Sequence, residues 1–143
     1  VIHSLEWPME FYNADVIAVW FDGFMCSAEL GAGGEGDLKF IGTELVAKGA
    51  RCAVMSLGWS GALVIDRQGP RHIRGLEGEV VDLTGCDSAF VGALTACLGT
   101  GDAPERAVRF AVAAESLARG HFGLQDGLPR KEDILTVLQS QPD

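Results

Sequence analysis

The sequence predicts an α/β fold in which buried strands alternate with helices. Two short apolar runs, at residues 15–21 and 52–57, have the continuous hydrophobic pattern of strands that are buried on both faces. Apolar residues recur at helical spacing in residues 37–48, and two further apolar segments follow at 88–98 and 107–117. The order strand, helix, strand, hairpin and three helices indicates a layered domain with a mostly parallel sheet.

Composition indicates a globular chain. The 143 residues suffice for a single domain, spanning 1–143, and are 48% hydrophobic and 22% charged. The net charge of −9 and the lack of a basic cluster argue against a nucleic-acid partner. No apolar run reaches the ~20 residues of a membrane span, and no signal-peptide pattern opens the chain. Scattered cysteines argue against structural zinc and favour reduced thiols in a cytoplasm: Cys26, Cys52, Cys86 and Cys97.

The first half of the chain has clear boundaries for its elements. Asp37 is suited to cap the first helix, and Gly49 is suited to end it. A glycine-rich turn at residues 58–61 follows the second strand, and residues 62–66 and 71–73 are expected to form a hairpin.

The second half is predicted to be helical. Residues 88–98 are nearly all apolar or small, so their helix is expected to be buried on all sides. Asp102 is expected to cap the next helix, with Pro104 in its first turn and Glu105 completing a capping box. An amphipathic helix at 130–138 ends the predicted elements.

Gly31, Gly33 and Gly36 have the spacing Gly-x-Gly-x-x-Gly. A dinucleotide-binding fingerprint of this form needs a strand directly before it, and the preceding strand ends about ten residues too early. A flexible loop is the favoured interpretation.

Residues 80–90 (Val-Val-Asp-Leu-Thr-Gly-Cys-Asp-Ser-Ala-Phe) predict a strand end, a turn around Gly85 and the start of a helix. The first amides of a helix lack internal partners and attract anions, phosphate above all. Asp87 or Ser88 could there accept a proton from an attacking alcohol, or either could simply cap the helix.

Several segments resemble a known family. Asp82, Thr84, Gly85, Cys86, an aspartate and Phe90 resemble the signature of the ribokinase-like (PfkB) sugar and nucleoside kinases, Asp-Thr-x-Gly-Ala/Cys-Gly-Asp-Ala/Ser-Phe. The family's other C-terminal motifs resemble residues 56–61, 105–111 and 123–133, in the same order. The resemblance implies the C-terminal portion of a layered α/β/α fold, without the N-terminal half that supplies most sugar contacts and the lid in relatives.

The family transfers the γ-phosphate of ATP to an alcohol of a sugar or nucleoside, with magnesium and in many members potassium. The resemblance implies that the backbone of Gly85, Cys86 and Asp87 forms the phosphate cradle and that Asp87, or alternatively Ser88, is the base. It also implies nucleotide contacts from Ser56 and Gly58. It implies a monovalent-cation site near Asp82, Thr84 and Gly123.

This chain departs from the family at important positions. It has Asp87 and Ser88 where the family has Gly and Asp, and the family's Asn-x-x-Glu pair corresponds to Trp20 and Gly23. Val112 replaces a family asparagine. Two hypotheses follow: a truncated or divergent phosphotransferase, or an inactive relative that binds nucleotide or serves as an interaction subunit. A partial fold would expose apolar faces, so self-association or a partner chain is expected.

Overall fold

The computed structural model describes residues 16–20 and 35–140. The chain forms two compact units, the first within Val1–Leu57 and Leu63–His72, the second within Gly58–Ala62 and Ile73–Asp143. That residues 1–143 form a single domain stays a prediction. Gly31, Gly33, Gly23 and Cys26 lie outside the described residues, and with them most of the predicted glycine loop. No helix in the described ranges is long and apolar enough to cross a membrane.

The first unit is built on a strand–helix–strand arrangement. Strand β1 (Val16–Trp20) pairs in parallel with β2 (Cys52–Ser56), from Val16 opposite Cys52 to Trp20 opposite Ser56. Helix α1 (Glu35–Ala47) connects them, as a parallel pair requires. All five β2 residues are buried, and a cluster around Leu45 joins the helix to the sheet. The two apolar runs therefore form the predicted strands.

A hairpin completes the described sheet, whose strand order is β1-β2-β3-β4. A short 3₁₀ helix (Gly58–Ser60) precedes β3 (Gly61–Asp66), and β4 (Gly69–Arg74) follows after two residues. The link between β2 and β3 is too short for a parallel crossover, so these strands run antiparallel. Parallel pairing in the described strands is thus confined to β1 and β2, a smaller share than the sequence suggested.

An ion pair fixes the hairpin turn. Two nitrogens of Arg71 donate to the two carboxylate oxygens of Asp66, at 3.1 and 2.6 Å. The Gln68 amide donates to the same carboxylate at 2.8 Å. The hydrogen bond from Arg71 is the main reason that the pKa of Asp66 lies below its ordinary value.

The second unit is helical. Helix α2 (Cys86–Gly99) packs against α3 (Pro104–Arg119), and α3 packs against α4 (Lys131–Ser140). Its core contains Phe90 and Leu94 of α2 and a run of buried small residues in the middle of α3. Pro104 stands at the first turn of α3, as predicted, because a proline there loses no hydrogen bond.

Two predicted helix caps are wrong. Helix α1 begins at Glu35, before Asp37, so Asp37 is inside the helix. Ala103 is the N-cap of α3 and makes no side-chain cap bond, whereas Asp102 pairs with Arg106 at 3.5 Å. The Asp102 carboxylate, one residue before the cap, pairs with Arg106 one helical turn further on and does not bond to the first amides of the helix.

The expectation that the helix at residues 88–98 is buried all round is also wrong. Cys86, Ala89, Phe90 and Leu94 of α2 are buried. Gly92, Thr95 and Ala96, in contrast, are exposed. An apolar helix with one open face is unusual, because such helices normally lie wholly inside a protein.

Candidate functional site

The predicted turn and helix start are both present. Gly85 has φ 82° and ψ 0°, a left-handed conformation that glycine adopts without strain, and is the N-cap of α2. The Cys86 amide donates to the Leu83 carbonyl at 3.3 Å and the Ala89 amide to the Gly85 carbonyl at 2.9 Å. The chain therefore turns sharply at Gly85 and enters the helix at once.

Two amides at this helix start are available. Within residues 16–20 and 35–140, no group accepts a hydrogen bond from the amide of Asp87 or of Ser88. Both residues are exposed. Because Gly85 is the N-cap and no side chain caps the helix, the interpretation of Asp87 or Ser88 as a simple cap is excluded. Two free N–H groups at the positive end of a helix form a place suited to an anion.

The Asp82 carboxylate connects this turn to the loop after α3. Its Oδ1 accepts from the Thr84 amide at 2.9 Å, and its Oδ2 accepts from the Gly123 amide at 3.0 Å. The Thr84 amide is the main reason that the pKa of Asp82 lies below its ordinary value. The structure therefore brings together Asp82, Thr84 and Gly123, although their role as cation ligands remains a prediction.

Leu124 covers one side of the turn. A Cβ atom placed on Gly85 would lie 2.5 Å from Cδ1 of Leu124, so a side chain at residue 85 requires Leu124 to move. Leu124 is otherwise half exposed, at 55%. Glycine is thus favoured at residue 85 by its backbone angle and, more weakly, by this neighbour.

Buried polar groups lie behind the first turn of α2. Cys86 is buried, and its Sγ contacts the Asp82 carbonyl oxygen at 3.7 Å. Burial raises the pKa of the Cys86 thiol, and the negative charge of Glu115 adds to this effect. Glu115 and Arg119 of α3 are only 5% exposed. A thiol in such surroundings stays protonated, which suits a packing role for Cys86 and not a nucleophilic one.

The two predicted nucleotide residues belong to different units. Ser56 is the buried last residue of β2, in the first unit. Gly58 begins the 3₁₀ helix with φ 59° and belongs to the second unit. Their predicted contact with a nucleotide stays a prediction.

A large groove runs between α2, α3 and α4, with a volume of about 1000 Å³. We call it the helical groove. Its α2 side consists of Ser88, Ala89, Gly92, Ala93, Ala96 and Cys97. Ser88 thus faces the groove, whereas Asp87 does not line it. The sequence predicted that α2 is apolar, but it did not indicate that one face of the helix is open. It also did not indicate that Leu124, Glu115 and Arg119 lie near the Gly85 turn.

Comparisons with known proteins agree on the family. The family model described as pfkB family carbohydrate kinase matches residues 24–131, most of the chain. A search of curated proteins returned no match.

Solved structures show the same fold. Ribokinase from Arabidopsis thaliana, complexed with ribose and ATP, is 22% identical with a TM-score of 0.77, over 92% of this chain and 43% of that one. A putative ribokinase II from E. coli, in complex with ATP and Mg²⁺, is 23% identical with a TM-score of 0.75, over 93% and 42%. Phosphofructokinase-2 from E. coli, in complex with potassium, is 25% identical with a TM-score of 0.79, over 96% and 44%.

These matches confirm the ribokinase-like α/β fold that the motifs predicted, and they show that the chain spans less than half the length of these structures. The order of motifs, the Gly85 turn that opens α2 and the family match over residues 24–131 agree. The chain belongs to the pfkB family of carbohydrate kinases.

Proposed function

We propose that this chain is part of an ATP-dependent phosphotransferase that acts on an alcohol group of a sugar or nucleoside. Residues 1–143 would form one partial kinase domain. The observation that supports the proposal is the Gly85 turn, which presents two free amides, of Asp87 and Ser88, at the start of α2. Catalysis of phosphoryl transfer consists mostly of positioning and charge stabilisation. It therefore depends on hydrogen-bond donors that are already oriented towards the phosphoryl group.

The residues at the turn fit a phosphate group in part. The Gly85 and Cys86 backbone forms the turn, and the two amides point to an open, exposed helix end. The carboxylate of Asp87 lies beside the same amides and repels a phosphate. In the proposed enzyme this carboxylate accepts the proton of the attacking alcohol, and ATP supplies the phosphoryl group when bound. Ser88 is the alternative residue at the base position, but a hydroxyl is a far weaker base at neutral pH.

The proposed cations differ in how well this chain fits them. The Asp82 carboxylate lies beside Thr84 and Gly123, and its negative charge favours a monovalent cation such as potassium there. Magnesium enters the proposal through the family alone. In the described part of the chain no group of three or more His, Cys, Asp or Glu residues could hold a metal ion, so we assign no residue to magnesium.

The test of catalysis compares Asp87→Asn with Ser88→Ala. ATP consumption is measured for the wild type and both variants with a panel of sugars and nucleosides, magnesium and potassium. Loss of about 10²-fold or more in Asp87→Asn alone supports Asp87 as the base. Equal rates in Asp87→Asn and wild type would reject that role, and loss in Ser88→Ala alone would transfer it to Ser88.

A second candidate function is an inactive relative that binds nucleotide. It is favoured by the side chain and charge of Asp87 at the position of the family's glycine. The double variant Asp87→Gly/Ser88→Asp restores the family motif Gly-Cys-Gly-Asp. If the wild type binds ADP in calorimetry without turnover and the double variant gains turnover, the chain is an inactive nucleotide binder. No ADP or ATP binding at millimolar ligand would remove the nucleotide role.

We also propose that a second copy of this chain covers the helical groove. Helix α2 carries no charged residue after Asp87, yet Gly92 and Ala96 are exposed. The groove is lined by three cationic side chains and two anionic ones, on a chain whose net charge is −9. A copy of this acidic chain therefore meets no net repulsion there.

We also propose a cytoplasmic location, in keeping with free thiols at Cys52, Cys86 and Cys97.

A further inference from the structure

Arg119, the last residue of α3, is a charged side chain that the protein buries almost completely. Its exposed fraction is 5%. Its Nη2 donates to the carbonyl oxygen of Leu76 and, at 3.2 Å, to Oγ of Ser116. Its Nε is buried and has no hydrogen-bond partner among the described residues. The guanidinium therefore reaches from α3 to the start of the segment that precedes the Gly85 turn.

The backbone of the same residue holds the other end of that segment. The carbonyl oxygen of Arg119 accepts from the Val81 amide at 2.8 Å and from the Asp82 amide at 3.2 Å. Carbonyls at a helix C-terminus have no partner within the helix, so this one is available to a neighbouring chain segment. One residue thus binds residues 76–82 at both ends, by its side chain at Leu76 and by its backbone at Asp82.

The side chain of Leu76 packs against the cluster of Ala113, Ala114 and Ile134, but the segment that follows has little else to fix it. Residues 75–80 belong to no helix or strand, and residues 77–81 are all exposed. The segment ends at Asp82, whose carboxylate then binds the amides of Thr84 and Gly123. The orientation of that carboxylate, and of the Gly85 turn that follows, therefore depends on where Arg119 holds the segment.

Stability alone gives a weak reason for an arginine here. Removing a guanidinium from water is costly, and a buried charge is by itself weak evidence for stability. An unpartnered Nε adds to the cost. What an apolar residue cannot supply is a directed hydrogen bond to the Leu76 carbonyl.

We infer that Arg119 is a positioning residue for the Gly85 turn: its guanidinium fixes the start of the segment at Leu76, its backbone carbonyl holds the end at Asp82, and together they set the Asp82 carboxylate and the free amides at the start of α2. The effect of Arg119 on this segment and on the Gly85 turn does not depend on the proposed function. Its consequence for nucleotide binding rests on the proposed function.

The experiment compares Arg119→Met and Arg119→Lys with the wild type, and uses Arg130→Met, at an exposed arginine before α4 that does not line the helical groove, as the control. Hydrogen exchange is followed at the amides of Thr84 and Gly123, which donate to Asp82. The Ala114 amide, in the middle of α3, reports on the helix itself. Calorimetry with ADP is run on the same samples.

Arg119→Met is expected to speed exchange at Thr84 and Gly123 by about 10-fold while Ala114 exchanges as in the wild type, because the segment opens locally. Arg119→Lys, which keeps a charged donor group, is expected to show a smaller effect, and Arg130→Met none. ADP affinity is expected to fall with the loss of protection.

Two results would overturn the inference. One is unchanged exchange at Thr84 and Gly123 in both Arg119 variants. The other is equal acceleration at Ala114, which would make Arg119 a residue of general stability. If the wild type binds no ADP, the proposed function fails, but the exchange rates still decide the role of Arg119. If Arg119→Met does not fold, Arg119→Lys alone decides it.

Discussion

The substitution Gly85→Ala tests whether the turn at the start of α2 has the geometry described above. Gly85 has φ 82°, in the region that costs a residue with a Cβ about 1–2 kcal/mol. Alanine also restricts the unfolded chain, which returns about 0.4–1 kcal/mol. The added Cβ would lie 2.5 Å from Cδ1 of Leu124, the mobile end of a half-exposed side chain. Rotating that side chain adds up to about 1 kcal/mol, so the expected loss of stability is about 1–2 kcal/mol.

Two other glycines with positive φ provide the scale. Gly101 has φ 89° and nothing within 4 Å of an added Cβ, so Gly101→Ala should cost about 1 kcal/mol from the backbone angle alone. Gly61 has φ 98°, and an added Cβ would lie 2.0 Å from the backbone oxygen of Ile73. Since backbone cannot rotate away, Gly61→Ala should cost about 3 kcal/mol or more.

The assay is urea unfolding of the three variants, and of Gly85→Ala combined with Leu124→Ala, at constant m-value. We expect the order Gly101→Ala, Gly85→Ala, Gly61→Ala from least to most destabilised, and a smaller cost of Gly85→Ala when Leu124 is already alanine. No coupling between residues 85 and 124 would refute the assignment of Leu124 as the neighbour of the turn, and equal costs at Gly61 and Gly101 would refute the estimate of what a backbone contact adds.

Three further outcomes are expected. The lowered pKa of Asp82 adds stability that is complete above its ordinary value of 3.8 and is lost as pH falls through the lowered pKa; urea midpoints should therefore fall less steeply with acid in Asp82→Asn. Burial raises the pKa of the Cys52 thiol from 9.0 to about 11, so the stability that the protonated thiol contributes is complete below pH 9.0 and is lost as pH rises towards 11. The urea midpoint of Cys52→Ala should therefore fall less over this pH range than that of the wild type, and an equal fall in both would contradict the expectation. In light scattering at ~100 µM the wild type should self-associate, Ala96→Arg should be monomeric, and Thr95→Arg, exposed but outside the groove, should behave as the wild type; a monodisperse wild-type monomer contradicts the proposed second copy.

The parts of the fold that depend on local sequence were predictable. The two apolar runs became β1 and β2, since a continuous run of apolar residues is typical of a strand covered on both faces, and all five residues of β2 are buried. Pro104 marked the first turn of α3, and Gly85 marked the turn before α2. Each of these signals acts through the backbone conformation of the residue itself.

The parts that depend on tertiary contacts were not predictable. Nothing near Asp82 in sequence indicates that its carboxylate binds the amide of Gly123, and nothing near Leu76 indicates the guanidinium of Arg119. Asp102 is not the cap because α3 begins one residue later than predicted, with Ala103 at the N-cap. The apolar composition of α2 predicted that the helix is buried, but composition does not show which other elements pack against it.

Asp87 is the residue on which stability and the proposed function conflict. A carboxylate in the first turn of a helix interacts favourably with the helix dipole, by about 0.3–1 kcal/mol, and the helix propensity of glycine is lower than that of aspartate by only about 0.3 kcal/mol. Asp87→Gly should therefore lower the free energy of unfolding by roughly 0.5–1.5 kcal/mol, while it removes a side chain and a negative charge from beside two free amides. If nucleotide binds at those amides, the same variant should bind ADP more tightly although it is less stable, and its stability should be recovered on adding ADP. A variant that is less stable and gains no affinity would mean that Asp87 only stabilises the helix and that the phosphate does not approach these amides.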